Sequence, residues 1–351
     1  MNVRTVAARA GVSTATVSRV LNGKEVVTEA TREKVLAVVK ELGYAPHQAA
    51  RSLAARRTDT IGVVLPDLHG EFYSELLRGL SLAARREGFH LLVSGSHSDR
   101  GEVQALLGAL RGRVDALVLM FPDVDPRVLS APLLGVPVVL LDCSVPGQPF
   151  HSLGIDNRGG AAAVVRHLVG LGHRRIVFLG GPKGNLDAEE RRRGFLAAVA
   201  EAGAEVKATV LPGDFSERAG HAAGARIAAR RPRPTAVFAA NDAMALGCLQ
   251  ALREAAVAVP EEISLVGFDD IPAARHVQPP LTTVRVPIAE LGELAIARAL
   301  EGVRQEPTTR GREERLPVTL VERASCAPQR EQKPRPERGA DGSQPTRRRR
   351  T

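Results

Sequence analysis

Residues 3–22 read VRTVAARAGVSTATVSRVLN, and this stretch decides how the chain is read. Val3, Val6, Ala7 and Ala10 recur at helical spacing and predict one short helix. Gly11 supplies a residue able to take φ > 0 in a tight turn. Val12 can plug the space between two helices, and Ser13 is suited to cap the next one. That second helix, Thr14 to Leu21, buries Val17, Val20 and Leu21 on one side. Thr14, Ala15, Thr16, Ser18 and Arg19 cannot all face inward. They leave a surface of small hydroxyls and one guanidinium, suited to base edges and phosphates in a DNA major groove. Asn22-Gly23 ends the helix. A third helix is expected from Glu29 to Leu42, capped by Thr28 and stopped by Gly43 at C′. It adds Val35, Val38, Val39 and Leu42 to a three-helix core.

Charge supports this reading. The chain has 351 residues and a net charge of +9. Residues 1–60 carry 10 Lys/Arg against 5 Asp/Glu, and residues 328–351 carry 8 against 3. The remainder holds 30 against 31. Basic ends around a neutral body imply a polyanion held by an end.

From about residue 58 to 326 the chain alternates β runs with amphipathic helices. Strands are expected at Ile61–Pro66, His90–Ser94, Ala116–Met120, Pro137–Asp142, Arg175–Gly180, Ala236–Asn241 and Ile263–Asp269. Helices are expected at Phe72–Glu87, Val103–Arg111, Gly159–Leu171, Ala188–Ala202, Glu217–Arg230 and Ala243–Ala255. Such alternation implies parallel sheets, and about 270 residues fit two similar lobes better than one open sheet. Gly180-Gly181-Pro182-Lys183-Gly184 lacks the phosphate-loop pattern and reads as a βα turn. From Ala327 onward the Pro-, Arg- and Glu-rich sequence predicts a disordered basic tail, 327–351, ending in Arg347–Arg350.

Some function classes are disfavoured. No apolar run approaches the roughly 20 residues needed to cross a membrane. The polar N-terminus has no secretory segment, so a cytoplasmic location is expected. Cys143, Cys248 and Cys326 form no metal-ligand spacing. His69, His97, His151 and His173 sit in no catalytic constellation, so the chain is not expected to be an enzyme. No cofactor is implied.

In open α/β sheets, ligands bind beyond the carboxyl ends of the strands. Asp67, Asp142, Asn241-Asp242 and Asp269-Asp270 gather there, with Arg191 after a βα turn. They predict a polar ligand cleft, although individual aspartates, Asp242 and Asp270 above all, equally suit helix N-caps.

The string VAARAGVSTATVSRVLNG, followed by VTEATREKVLAVVKELGYAPHQAARSLAARRTDTIGVVLPD, closely resembles the lactose-repressor (LacI/GalR) family. The resemblance continues through LGHRRI at 171–176, RRRGF at 191–195, PTAVFAANDAMALG at 234–247, VPEEISLVGFDD at 259–270 and PPLTTVRVP at 279–287. It implies an all-α helix-turn-helix head and an α/β bilobed, periplasmic-binding-protein-like (type I) core with two parallel-sheet subdomains. The implied division is a head at 1–46, a hinge helix at 47–57 and a core at 58–326. Within the core, the N-lobe takes about 58–156 plus 287–312 and the C-lobe about 157–286 plus 313–326.

The resemblance further implies a homodimer or tetramer on a pseudo-palindromic double-stranded DNA operator. Thr14, Ala15, Thr16 and Arg19 map onto major-groove positions. Ser13, Asn22 and Tyr44 map onto contacts with the backbone or groove edge. The hinge would insert into the minor groove, with Leu53 as a wedge beside Ala50 and Arg51. A small-molecule effector, commonly a sugar or related metabolite in this family, would meet Phe72, Tyr73, Arg191, Phe215, Asn241 and Asp269. Where the family often has Asn-Pro before its paired aromatics, this chain has His69-Gly70-Glu71. Its Thr5 replaces a customary acidic residue near the first helix cap. The implied function is repression of transcription, set by the effector. Two other readings are a transporter's solute-binding protein, which would carry an export signal and lack the head, and an α/β sugar- or nucleotide-binding protein or enzyme with no role in gene regulation.

Overall fold

The computed structural model describes residues 2–21, 26–44, 57–96, 100–121, 135–143, 150–304 and 311–329. Asn22 and the hinge positions Ala50, Arg51 and Leu53 lie outside the described residues. The chain divides into two compact units. The first comprises Met1–Asn157, Pro182–Glu190 and Arg285–Thr319, and the second Arg158–Gly181, Arg191–Val284 and Leu320–Thr351.

The first unit begins with three helices, α1 (Val3–Ala10), α2 (Thr14–Leu21) and α3 (Glu29–Glu41). Several of the described ends are set by local chemistry. Asn2 caps α1, accepting from Thr5 N at 3.1 Å, and the Thr5 hydroxyl also donates to it. Thr5 therefore supports the cap. Gly11 stands at φ +64° and turns the chain into α2. Ser13 Oγ accepts from Thr16 N at 3.1 Å, the expected cap of α2. Gly43, at φ +57°, closes α3 as foreseen. Its N–H reaches Lys40 O and that of Tyr44 reaches Val39 O, which satisfies two orphan carbonyls. Thr28 differs from expectation. Its side chain makes no cap bond and lies 2.9 Å from the Thr31 hydroxyl, while its carbonyl accepts from the first turn. The head's core is Val6, Ala7, Ala10, Val17, Val20, Val35 and Val38, with Val12, Leu21, Val39, Leu42 and Tyr44 packed around it.

The same unit holds a six-stranded sheet of β1 (Thr60–Leu65), β2 (His90–Gly95), β3 (Ala116–Met120), β4 (Val138–Leu141), β5 (His151–Ile155) and β11 (Glu313–Leu316). The order is β11-β5-β4-β3-β1-β2, and every pairing is parallel. β1, β3 and β4 are almost wholly buried, as their continuous apolar runs require. Helices α4 (Glu71–Arg86), α5 (Arg100–Leu110) and α11 (Ile288–Arg304) belong to this unit. The strand at 313–316 corrects the expected division. It pairs with β5 in the first sheet instead of joining the C-lobe, because Glu313–Leu316 aligns with Ser152–Ile155.

The second unit contains a four-stranded parallel sheet, β7-β6-β8-β9, formed by β6 (Arg175–Leu179), β7 (Lys207–Leu211), β8 (Ala236–Ala239) and β9 (Ser264–Val266). A two-stranded sheet joins β10 (Thr283–Arg285) to β12 (Thr319–Val321). The helices are α7 (Leu186–Ala202), continuing from the first unit, α6 (Asn157–Gly170), α8 (Glu217–Ala229), α9 (Asp242–Glu254) and the short α10 (Ala273–His276). Residues 180–185 form the expected βα turn.

Small residues let α8 and α9 pack closely. A Cβ at Gly247 would collide with Glu217 O, and one at Gly220 with Met244 O. Gly247→Ala should therefore lower stability by about 1–3 kcal/mol, since the helices must separate to admit the methyl group. Urea unfolding would register this as a lower midpoint at unchanged slope.

The expected tail begins later than residue 327. Ala327 N donates to Ser264 Oγ at 3.1 Å and Gln329 N donates to Leu171 O at 2.8 Å. These bonds tie 327–329 to the second unit. Residues 330–351 lie outside the described residues.

Candidate functional site

On the head, burial separates α2 into two faces. Val17 and Val20 are buried, whereas Ser13, Thr14, Ala15, Ser18 and Arg19 are exposed. Thr16 is half-buried and its hydroxyl lies 2.9 Å from that of Ser13. Arg19 has no ion-pair partner among the described residues. The outer face thus offers hydroxyls, a methyl group and an uncompensated guanidinium, the donor and acceptor set that reads base edges and phosphates. Tyr44 is half-buried against the head core, which leaves part of its side chain outside.

In the first unit, Phe72 and Tyr73 open α4. Their rings meet edge to face, with centroids 5.4 Å apart and planes at 88°. Both are half-buried. Gly70, at φ +100°, turns the chain into this helix. Asp67 is exposed at the end of β1 and folds back, accepting from Leu68 N at 2.7 Å and His69 N at 3.0 Å. It therefore serves the loop that carries the aromatic pair.

In the second unit, Arg191, Phe215, Asn241 and Asp269 gather at the carboxyl end of the sheet. Arg191 is only 5% exposed. Its Nη1 donates to Ala240 O at 2.6 Å and to Asp269 Oδ1 at 3.2 Å. Its guanidinium carbon lies 3.9 Å from the Phe268 ring centroid and 5.8 Å from that of Phe215. A charge so deeply buried needs a partner, and Asp269, also buried, supplies it. Two residues of this group stand at positive φ without being glycine: Phe215 at +69° and Asp269 at +115°. Such backbone costs about 1–3 kcal/mol per residue and concentrates at ligand sites. A paired guanidinium and carboxylate beside an aromatic ring suits a ligand with several hydroxyls and an apolar ring face.

Asn241 has a structural task as well. It caps α9, accepting from Met244 N at 3.0 Å, and its Nδ2 donates to Phe215 O at 3.0 Å. Through that bond it orients the loop bearing Phe215. Asp242 and Asp270 are not N-caps. The Asp242 carboxylate accepts from Ile271 N and the Thr283 hydroxyl, and that of Asp270 accepts from Arg275 and Arg323. Both aspartates are open to the capping reading in sequence because each precedes a helical stretch, but Asn241 and Pro272 occupy the cap positions. Phe268, which stacks on Arg191, is not marked out by the sequence. Its place in an apolar run makes it look like ordinary core.

Among the described residues, no cluster of three or more His, Cys, Asp or Glu side chains could hold a metal ion, and no helix is long and apolar enough to cross a membrane.

Residues 2–47 match the family described as "Bacterial regulatory proteins, lacI family", and residues 165–326 match the "Periplasmic binding protein-like domain". The ribose operon repressor of Escherichia coli (strain K12) is 38% identical over 330 residues, covering 92% of this chain and 99% of that protein. Two solved structures align over 93% of this chain and 99% of their own. The lac repressor dimer bound to operator and the anti-inducer ONPF has a TM-score of 0.82 at 32% identity. The complex of the transcriptional regulator CelR with cellobiose has a TM-score of 0.69 at 34% identity.

Proposed function

Because the chain belongs to the lacI family of bacterial regulatory proteins, we propose that it represses transcription by gripping a DNA operator with a strength set by a small sugar. It is a DNA-binding transcription regulator controlled by a small-molecule effector. The observation that carries the ligand half of this reading is the buried Arg191–Asp269 pair, held on strained backbone beside Phe215. The sugar class is supported by the ring and hydroxyl chemistry of that group. It is also supported by the names of three relatives: a ribose operon repressor, a regulator holding cellobiose and the lac repressor.

In this reading the protein works as a homodimer in the cytoplasm and carries out no turnover. Two heads occupy half-sites of a pseudo-palindromic operator about one helical turn or slightly more apart. Thr14, Ala15, Thr16 and Arg19 enter the major groove, with Ser13, Asn22 and Tyr44 on the backbone or groove edge. Ala50, Arg51 and Leu53 enter the minor groove between the heads. On the second unit, Arg191, Phe215, Asn241 and Asp269 receive the effector; on the first unit, Phe72 and Tyr73 are the candidate effector contacts. The effector acts by favouring one of two states of the protein. It shifts operator affinity only as far as its own affinities for the two states differ. Release by an inducer is the preferred sign.

The test is an operator titration. DNA fragments captured by the protein from genomic DNA supply the site, and fluorescence anisotropy reads binding against a panel of pentoses, hexoses and disaccharides. One sugar should weaken operator binding by roughly 5- to 150-fold, the usual span of allosteric coupling. Tightening by a sugar would reverse the sign to corepression. Indifference to the whole panel would reject the sugar class.

A further inference from the structure

Asp269 and Asp270 stand side by side at φ +115° and +57°, a conformation that L side chains rarely adopt. Something must hold this turn. Asp270 is tied outward to Arg275 and Arg323, and Asp269 N donates to Val284 O at 2.8 Å. A further tie comes from beneath. Asp242 begins α9 and is 0% exposed. Its N–H donates to Phe268 O at 2.7 Å, on one side of the two strained residues. Its Oδ2 accepts from Ile271 N at 3.0 Å, on the other side. Its Oδ1 accepts from Thr283 Oγ1 at 2.6 Å, on β10. Gly267 makes room for it, since a Cβ there would collide with Asp242 Oδ1.

We propose that Asp242 is a positioning residue for the ligand contact at Asp269, a buried clamp that grips the 268–271 turn at both ends and fastens it to β10. The proposal rests on the reading of Asp269 as a ligand contact. Three features separate this role from that of an ordinary helix-terminus carboxylate. α9 already has its cap in Asn241, so Asp242 is not needed for that purpose. Its carboxylate lies where burial, and then the neighbouring charge of Asp269, oppose ionisation. A fully buried carboxyl group is costly to hold unless its hydrogen bonds are made, and here both oxygens are engaged. An apolar side chain would fill the same space without fixing the turn.

Hydrogen–deuterium exchange on the full-length protein tests the clamp without a ligand. Asp242→Ala should speed exchange of the Asp269 and Ile271 amides by roughly tenfold, the scale of one lost buried hydrogen bond, while β6 and β8 stay as slow as before. Asp242→Asn should restore protection, because its oxygen still accepts from Ile271 N and its amide can donate to Thr283 Oγ1. Thr283→Val removes a single hydroxyl at nearly constant volume. It should loosen the same amides to a smaller degree, and it answers the question should Asp242→Ala fail to fold. Unchanged exchange in Thr283→Val and Asp242→Ala would overturn the clamp, as would a rise spread evenly over β6 and β8. Failure of the ligand assignment is seen separately, in a sugar titration of Asp269→Asn.

Discussion

Deleting residues 1–57 should abolish sequence-specific operator binding and leave a folded protein that still binds its effector. The head's core consists entirely of residues between Val6 and Val38, with its packing neighbours ending at Tyr44. The first core strand begins at Thr60, and its buried residues pack in a sheet with β2 and β3. Removing the head therefore opens no cavity in that sheet. Arg57 is the exception at the junction. It pairs with Asp59 at 2.9 Å, lies 4.0 Å from the Asp115 carboxylate and sits over the Phe89 ring at 4.9 Å, so a chain shortened to begin at Thr58 forfeits these contacts. Arg57 is about half exposed, so that loss is small. The loss of DNA discrimination is large, because specific binding in such proteins exceeds non-specific binding by roughly 10³- to 10⁷-fold. A gel shift with captured operator DNA reads the first effect and calorimetry with the effector the second. Retained operator discrimination by the truncated protein would refute the assignment of the head. A milder version is Arg19→Ala. It should weaken operator binding by about 1–3 kcal/mol if the guanidinium reads a base, and should relax discrimination at one position of each half-site. A uniform loss with a shallower salt dependence would place Arg19 on a phosphate instead.

The head is legible in sequence because its chemistry is local. Four of its helix ends are decided within a few residues: Asn2 by Thr5, Ser13 by Thr16, Gly11 and Gly43 by their own φ. The strands β1, β3, β4, β6 and β8 are legible for a related reason, since burial on both faces leaves unbroken apolar runs. Elements that depend on distant partners are not. β5, β7, β10 and β12 are short and carry polar or mixed sequence, as HSLGI and KATVL illustrate. β11 is EERL, whose alternating exposure makes sense only beside β5. α11 is different. Ile288, Leu291, Gly292, Ala295, Ile296, Ala299 and Leu300 form a buried stripe at helical spacing, a helix signal that the sequence carries beyond the six core helices expected from it. The carboxyl-end rule singles out Arg191, Asn241 and Asp269, and Arg191 and Asp269 do meet in the second unit, but the rule does not give the division of labour among the neighbouring aspartates. How Asp242, Asp269 and Asp270 share their tasks depends on bonds from Arg323 to Asp270 and from Thr283 and Ile271 to Asp242, which span 53, 41 and 29 residues of the chain.

Breaking the Arg191–Asp269 pair should silence the ligand response, and the double variant should reveal the reason. In Asp269→Asn the backbone conformation survives, since Asn tolerates positive φ better than most residues. The charge opposite a guanidinium that is 6% exposed is lost. Breaking a buried ion pair by removing one member typically costs about 3–5 kcal/mol, so a fall in thermal stability is expected alongside the loss of response. Arg191→Met leaves the complementary defect. The Asp269 carboxylate loses the Arg191 bond at 3.2 Å and Ala240 O loses one at 2.6 Å, while the methionine stem can still pack on Phe268. In the double variant neither charge remains. Much of the lost stability should return, because replacing both members of a buried pair by neutral groups is often nearly neutral. The ligand response should stay absent, because the bidentate donor and the acceptor are both gone. Stability would then be strongly non-additive across the cycle while response is lost in all three variants. Thermal unfolding and the sugar titration measure the two quantities on the same samples. A double variant that recovers its response together with its stability would mean that the pair serves only the fold and that the ligand is held elsewhere. Recovery of stability alone would identify the pair as a charge arrangement retained for binding, at a cost to the folded state that the surrounding Phe268 and Ala240 contacts offset.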